Sequence, residues 1–259
     1  MKIALGLAYD GAAYCGWQSQ PNGLGVQNFV EYELARVADH PVRLHAAGRT
    51  DSGVHASYQV AHFETSATRP LSAWVRGVNS HLPWTIRVLW ARLVSDDFHA
   101  RFSARARRYQ YLLQMSPVAP ALLQGRVGWY HRSLDVVAMQ QASTLFLGEH
   151  DFSAFRSAEC QAKTTRRTML ISQVEKRDKW LIFEFVANAF LHHQVRNMVG
   201  TLVYVGRGSL SLADVQALLL NRDRRLAPPT FVAAGLYLSD VVYDERFGLP
   251  LSEPLRFIA

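Results

Sequence analysis

The sequence predicts an α+β protein of two similar halves, residues 1–104 and 105–259, each with helices over one face of a largely antiparallel sheet. Three observations predict it. Each half runs strand, helix, strands, helix, strand. The 259 residues, 49% hydrophobic and 19% charged, suffice for two modest cores or one large one. No low-complexity segment or flexible linker interrupts them.

In the first half, Ile3, Leu5 and Leu7 alternate toward Tyr9 and predict a strand, followed by a turn at Asp10-Gly11. Pro21-Asn22-Gly23 breaks the chain before Val26, Phe29, Val30, Leu34 and Val37, which recur at helical spacing. Val42, Leu44 and Ala46 alternate with Arg43, His45 and Ala47, and residues 54–63 are again extended and β-rich. A short helix is expected near residues 71–77 and a strand over 85–94.

Residues 95–106 form the crossing into the second half. A strand is expected over 107–114, with Tyr109, Tyr111 and Leu113 on one face, then an amphipathic helix from Leu134 ending at Gly148. Residues 169–175 and 180–187 form a strand pair joined near Asp178. A long helix is expected over 190–205, and a second from Ser211, with Asp214 completing a capping box. Pro228-Pro229 breaks the chain before a last strand over 233–243.

Composition narrows the function classes. Cys15 and Cys160 are the only cysteines and form no CxxC, which fits a reducing compartment. Residues 1–8 are too short an apolar run to be a signal peptide or membrane span, so a cytosolic protein without a membrane is expected. The net charge is +7: residues 1–104 carry 9 basic against 8 acidic residues, and residues 105–259 carry 19 against 13. Such a balance favours a polyanionic partner, though weakly by itself. The basic residues cluster at Arg101, Arg105, Arg107 and Arg108, at Lys163, Arg166 and Arg167, and at Arg222, Arg224 and Arg225. Each cluster alone is an ordinary solvated surface; together they suit an RNA backbone.

The stretch Gly48-Arg49-Thr50-Asp51-Ser52-Gly53-Val54-His55 lies between two extended segments. Gly48 and Gly53 bracket a tight connection with one carboxylate, Asp51, and one guanidinium, Arg49, at its centre. On residue types alone this is a turn with a solvated charge. The longer string Ala47 to Ala56 resembles the signature loop of the TruA family of tRNA pseudouridine synthases. Tyr9-Asp10-Gly11 and Gly16-Trp17-Gln18 resemble the family's opening, Asp97 to Ala104 and Arg107 to Tyr111 its central segment, and Asn188 to Asn197 its late helix. The matches run in order over nearly the whole chain.

The resemblance implies two sheets joined side by side with an active-site cleft between the halves. It implies isomerisation of uridine to pseudouridine in the anticodon stem-loop of tRNA, at positions 38, 39 and 40, without a cofactor, by a homodimer. It makes Asp51 the nucleophile and pairs Arg196 with it; an opposite charge favours the ionised carboxylate. It selects Tyr109 as the base-stacking tyrosine and leaves Tyr111 as packing. Arg49, beside Asp51, is the natural group to displace the base. On a helical wheel Leu191, Val195, Met198, Val199 and Leu202 form an apolar arc, and Arg196 borders a polar arc of His192, His193 and Asn197.

Ten histidines raise the question of a metal. Adjacent His192 and His193 would diverge by about 100° on a helix. No HExxH or zinc-type His/Cys spacing occurs, so no metal is expected. No P-loop or GxGxxG follows a strand. Two other classes remain: an RNA-binding protein in which Asp51 is structural, and a hydrolase using Asp51 with His55 or His62.

Overall fold

The computed structural model describes residues 1–253 and divides into two compact units. In chain order the strands are β1 (Lys2–Tyr9), β2 (His45–Ala46), β3 (His55–Glu64), β4 (Ile86–Val94), β5 (Ala106–Met115), β6 (Gly128–Tyr130), β7 (Gly148–Asp151), β8 (Arg166–Arg177), β9 (Trp180–Ala187) and β10 (Leu236–Val242). The α-helices are α1 (Val26–Ala38), α2 (Val136–Thr144), α3 (Gln194–Gly206) and α4 (Leu212–Asn221), and a π-helical turn, Ala73–Gly77, stands where the short helix is expected.

The first unit comprises residues 1–105 and the segment from Tyr237 onward. Its strands lie in the order β4-β1-β3-β10, with β2 also on β3. β1 pairs antiparallel with β3 from Lys2↔Glu64 to Tyr9↔Ala56, and with β4 from Lys2↔Val94 to Tyr9↔Ile86. Ile3, Leu5 and Leu7 are fully buried, as are Phe63, Trp74, Val30 and Leu34. Helix α1 forms where the apolar residues recur at helical spacing and stops at Asp39, which takes a left-handed φ of 60°.

The second unit comprises Ala106–Leu236. Its strands lie in the order β5-β9-β8-β7, with β6 parallel to β5. Strands β8 and β9 form the expected hairpin, turning through Asp178 at φ 51°. Helix α2 packs on α3, α4 and β8. Tyr111, Phe183, Phe185, Phe146, Phe152, Phe155 and Met198 are fully buried in this core. Ser211 caps α4 as expected: its Oγ accepts from Asp214 N at 3.2 Å, and Asp214 Oδ2 accepts from Ser211 N at 2.7 Å.

Four features differ from the sequence reading. The strand before the Asp51 loop shrinks to two residues, because Glu31 Oε1 on α1 accepts from Leu44 N at 2.7 Å and Gln27 Nε2 donates to Leu44 O at 3.1 Å. Those are the backbone groups a neighbouring strand needs. The short β6 and β7 add edges that no apolar run announced. Helix α3 begins at Gln194, not near 190: His193 adopts φ 64°, and Gln194 Oε1 accepts from Leu191 N at 2.8 Å. Finally, β10 pairs in parallel with β3 at Tyr237↔His55, so the segment assigned to the C-terminal half completes the first unit. Among the described residues, no helix is long and apolar enough to cross a membrane.

Candidate active site

Arg49 and Asp51 stand together on the loop between β2 and β3. Ala47 N donates to Val60 O at 2.8 Å, and Gln59 Nε2 to Gly48 O at 2.7 Å, which fastens the start of the loop to β3. Val54 N donates to Asp51 O at 3.1 Å, closing a tight turn. Gly53 sits in that turn at φ 77°, which a side chain would resist. The half-buried Asp51 and the exposed Arg49 are thus held at the lip of a short rigid bend.

The bend is braced by the segment after β1. Tyr9 Oη and Thr50 Oγ1 lie 2.8 Å apart in the interior. Trp17 N donates to Thr50 O at 3.0 Å, and Ser52 Oγ to Tyr14 O at 3.1 Å. Gly16 passes so close, at φ 80°, that a Cβ would stand 2.6 Å from Thr50 O. The residues on both sides of Asp51 are therefore pinned, while Arg49 makes no hydrogen bond or ion pair among the described residues. Burial pushes the Tyr9 phenol up to about 12, against the opposing hydrogen bonds from Thr50 and Gln59, so it stays neutral. These bracing residues carry no chemistry in the sequence reading. Their only signal there is Tyr9-Asp10-Gly11 and Gly16-Trp17-Gln18.

The two histidines of the hydrolase alternative are committed elsewhere. His55 is 2% exposed, its Nδ1 lies 3.0 Å from Gly11 N, and its ring stacks on Tyr237 at 4.6 Å. His62 is seven residues further along β3, roughly 20 Å at strand spacing, and its Nδ1 accepts from Ala100 N at 3.2 Å.

Tyr109 and Arg196 belong to the second unit. On β5, Tyr109 is 7% exposed and meets the Phe190 ring edge-on at 5.1 Å. Tyr111 is fully buried, donates from Oη to Val232 O at 3.1 Å and packs on Phe183 and Phe231, a packing residue. Arg196 is half-buried in the first turn of α3, and its Nε donates to Phe231 O at 2.8 Å. Of the polar arc read around it, Asn197 is buried and His192 and His193 are half-buried, so the arc is not a solvated face. Since His192 and His193 precede the helix, their rings lie side by side at 4.0 Å, so divergence on a helix is no ground for excluding a shared ligand.

The basic clusters also change character. Arg224 is a structural clamp: Nη1 donates to Ala227 O at 3.0 Å and Pro228 O at 2.8 Å, and Nη2 to Asn197 Oδ1 at 3.1 Å and Thr230 Oγ1 at 3.2 Å. Arg225 pairs with Asp223 at 2.6 Å, Arg222 with Asp151 at 3.6 Å, and Arg166 with Glu149 at 3.0 Å. Arg107 donates to Asn188 O at 2.7 Å, while Arg105 and Arg108 pair with Asp244 and Glu184.

A family model described as tRNA pseudouridine synthase matches residues 7–103 and 142–244, which include Arg49, Asp51 and Arg196 but not Tyr109. The chain belongs to the tRNA pseudouridine synthase family. It is similar to proteins called tRNA pseudouridine synthase A: 56% identical over 253 residues to that of Methylobacillus flagellatus, covering 98% of this chain and 97% of the relative. It is 56% identical over 251 residues to that of Chromobacterium violaceum, covering 96% of each, and 54% identical over 256 residues to that of Nitrosomonas eutropha, covering 99% and 92%.

Proposed function

We propose that the chain isomerises uridine to pseudouridine in the anticodon stem-loop of tRNA, with Asp51 as nucleophile. The observation that carries the reading is the family match, which runs through the loop holding Asp51. The reaction breaks the N1–C1′ bond, turns the uracil and rejoins it through C5; C5 gives up its proton at the end and N1 takes one up. Reactant and product have the same atoms, so neither an energy source nor a redox group is required.

A uracil paired in a stem must first leave the stack, at about a few kcal/mol. Arg49 is the group that takes its place in the helix; an exposed guanidinium with no other commitment suits that role. Tyr109 stacks the extruded base, which returns roughly 1–3 kcal/mol. Arg196 is the arginine of the catalytic set, and a planar guanidinium suits a carboxylate partner. Asp51 then attacks as a nucleophile, at C6 of the base or at C1′ of the ribose. The enzyme works as a cytoplasmic homodimer on tRNA.

The test is to incubate unmodified tRNA with the protein alone, in excess EDTA, and to locate pseudouridine by carbodiimide-dependent primer stops. Product at anticodon stem-loop uridines is expected. Binding without turnover favours an RNA-binding protein, and release of free uracil favours a hydrolase. Sedimentation as a monomer at working concentration removes the dimer.

A further inference from the structure

Trp84 is the most exposed tryptophan of the described residues, at 92%, whereas Trp17 and Trp74 are buried at 2% and 0%. An indole is usually shielded, because it carries a large apolar area. This one stands at the corner of a turn closed by Ile86 N donating to Pro83 O at 2.9 Å. The turn is rigid. Arg87 Nη1 donates to the carbonyls of Leu82 at 3.4 Å, Pro83 at 2.8 Å and Ile86 at 2.6 Å. The same guanidinium lies 4.6 Å from the indole centroid. It makes no ion pair among the described residues, so its charge is not cancelled. One side of the ring carries a cation, and the rest faces water.

The turn shares its supports with the Asp51 loop. Thr85 Oγ1 lies 2.5 Å from Tyr14 Oη, and the Tyr14 carbonyl accepts from Ser52 Oγ. Thr85 O accepts from Asp10 N at 2.9 Å. In the sheet, Ala56, Tyr9 and Ile86 form one row across β3, β1 and β4. Two strand spacings, about 10 Å, therefore separate the start of β3 from the Trp84 turn at the same end of the sheet.

We propose that Trp84 and Arg87 form a binding site for an unpaired nucleobase of the RNA substrate, beside the Asp51 loop. The site deepens the tRNA reading and rests on it. A flat ring with a fixed cation suits a ligand that is itself flat and carries a negative backbone. Unpaired loop bases of an anticodon arm offer such a face; bases within the stem are already stacked. A neutral sugar or an apolar peptide leaves the guanidinium unanswered.

The experiment compares wild type with Trp84→Ala, Trp84→Phe and Arg87→Met. Affinity for unmodified tRNA, its salt dependence and single-turnover pseudouridine formation at saturating RNA are measured, with thermal melts as a check on folding. Trp84→Ala is expected to weaken binding about tenfold, the scale of one lost stacking contact. Trp84→Phe should retain most of the affinity, and the saturated rate should not move. Arg87→Met should flatten the log–log salt slope by roughly 0.7–0.9, one phosphate contact. Unchanged affinity in a folded Trp84→Ala protein overturns the proposal. So does a change in sedimentation alone, which assigns the turn to a protein contact. Wild-type protein that binds RNA through Trp84 yet forms no pseudouridine removes the enzymatic reading and leaves the base site standing.

Discussion

Tyr9 and Thr50 share a buried hydrogen bond of 2.8 Å that ties the residue before Asp51 to the last residue of β1. The bond converts a surface turn into part of the core. Asp51 inherits the rigidity of the sheet without being part of a strand.

Tyr9→Phe and Thr50→Val should each destabilise the protein by about 1–3 kcal/mol, because the first leaves the buried Thr50 hydroxyl without this partner and the second leaves the buried Tyr9 hydroxyl with Gln59 alone. The double variant should recover part of that loss. Turnover at saturating tRNA should fall in the single variants while affinity holds. A double-mutant cycle with additive losses would show that the bond does not brace the loop.

Asp51→Asn should form no pseudouridine and still bind tRNA, since the amide matches the carboxylate in shape but is a poor nucleophile. Multiple turnover by this variant, with deamidation excluded by mass, would end the assignment.

The buried His62 ring is held down to about 4, first by burial and then by the positive charges of His99, His45 and Lys2. The unfolded chain takes up this proton near 6.5, before the folded one does. Stability from this group is therefore complete above about 6.5 and lost as pH falls toward about 4, by at most roughly 3 kcal/mol. Urea titrations from pH 7 to pH 4 should show this decline, and His62→Asn should flatten it. Parallel curves for the two proteins would exclude His62 as its source.

Arg224→Met should lower stability by about 3 kcal/mol, since several oxygens lose a charged donor. Arg225→Gln, which breaks an exposed pair with Asp223, should leave it nearly unchanged. Equal melting temperatures for the two variants would return Arg224 to the solvated surface.

Much of the fold is legible in the sequence where the signal is local. The spacing in α1, the alternation in β5 and the Ser211–Asp214 cap each state their structure within a few residues. What escaped depends on distant partners. Nothing near Leu44 says that Glu31 and Gln27 will take its backbone groups. Nothing in the residues of β10 says that their partner is β3. The site divides in the same way. Asp51 and Arg49 stand out between two glycines, whereas the support from Tyr9 arrives from 41 residues away. Arg224 falls among its basic neighbours in the sequence, which shows charge but not whether carbonyls have already claimed it.

The return of β10 to the first unit sets an order in time. Tyr237 stacks on His55, Tyr243 Oη donates to Ala100 O at 2.6 Å, and Phe247 packs on Phe98. A chain emerging from the ribosome has all of residues 106–236 in hand before it has Tyr237. The contiguous second unit can therefore mature first, the reverse of the usual N-to-C sequence of domains. The unit that holds Asp51 is begun first and completed only once Tyr237 and the rest of β10 have been made.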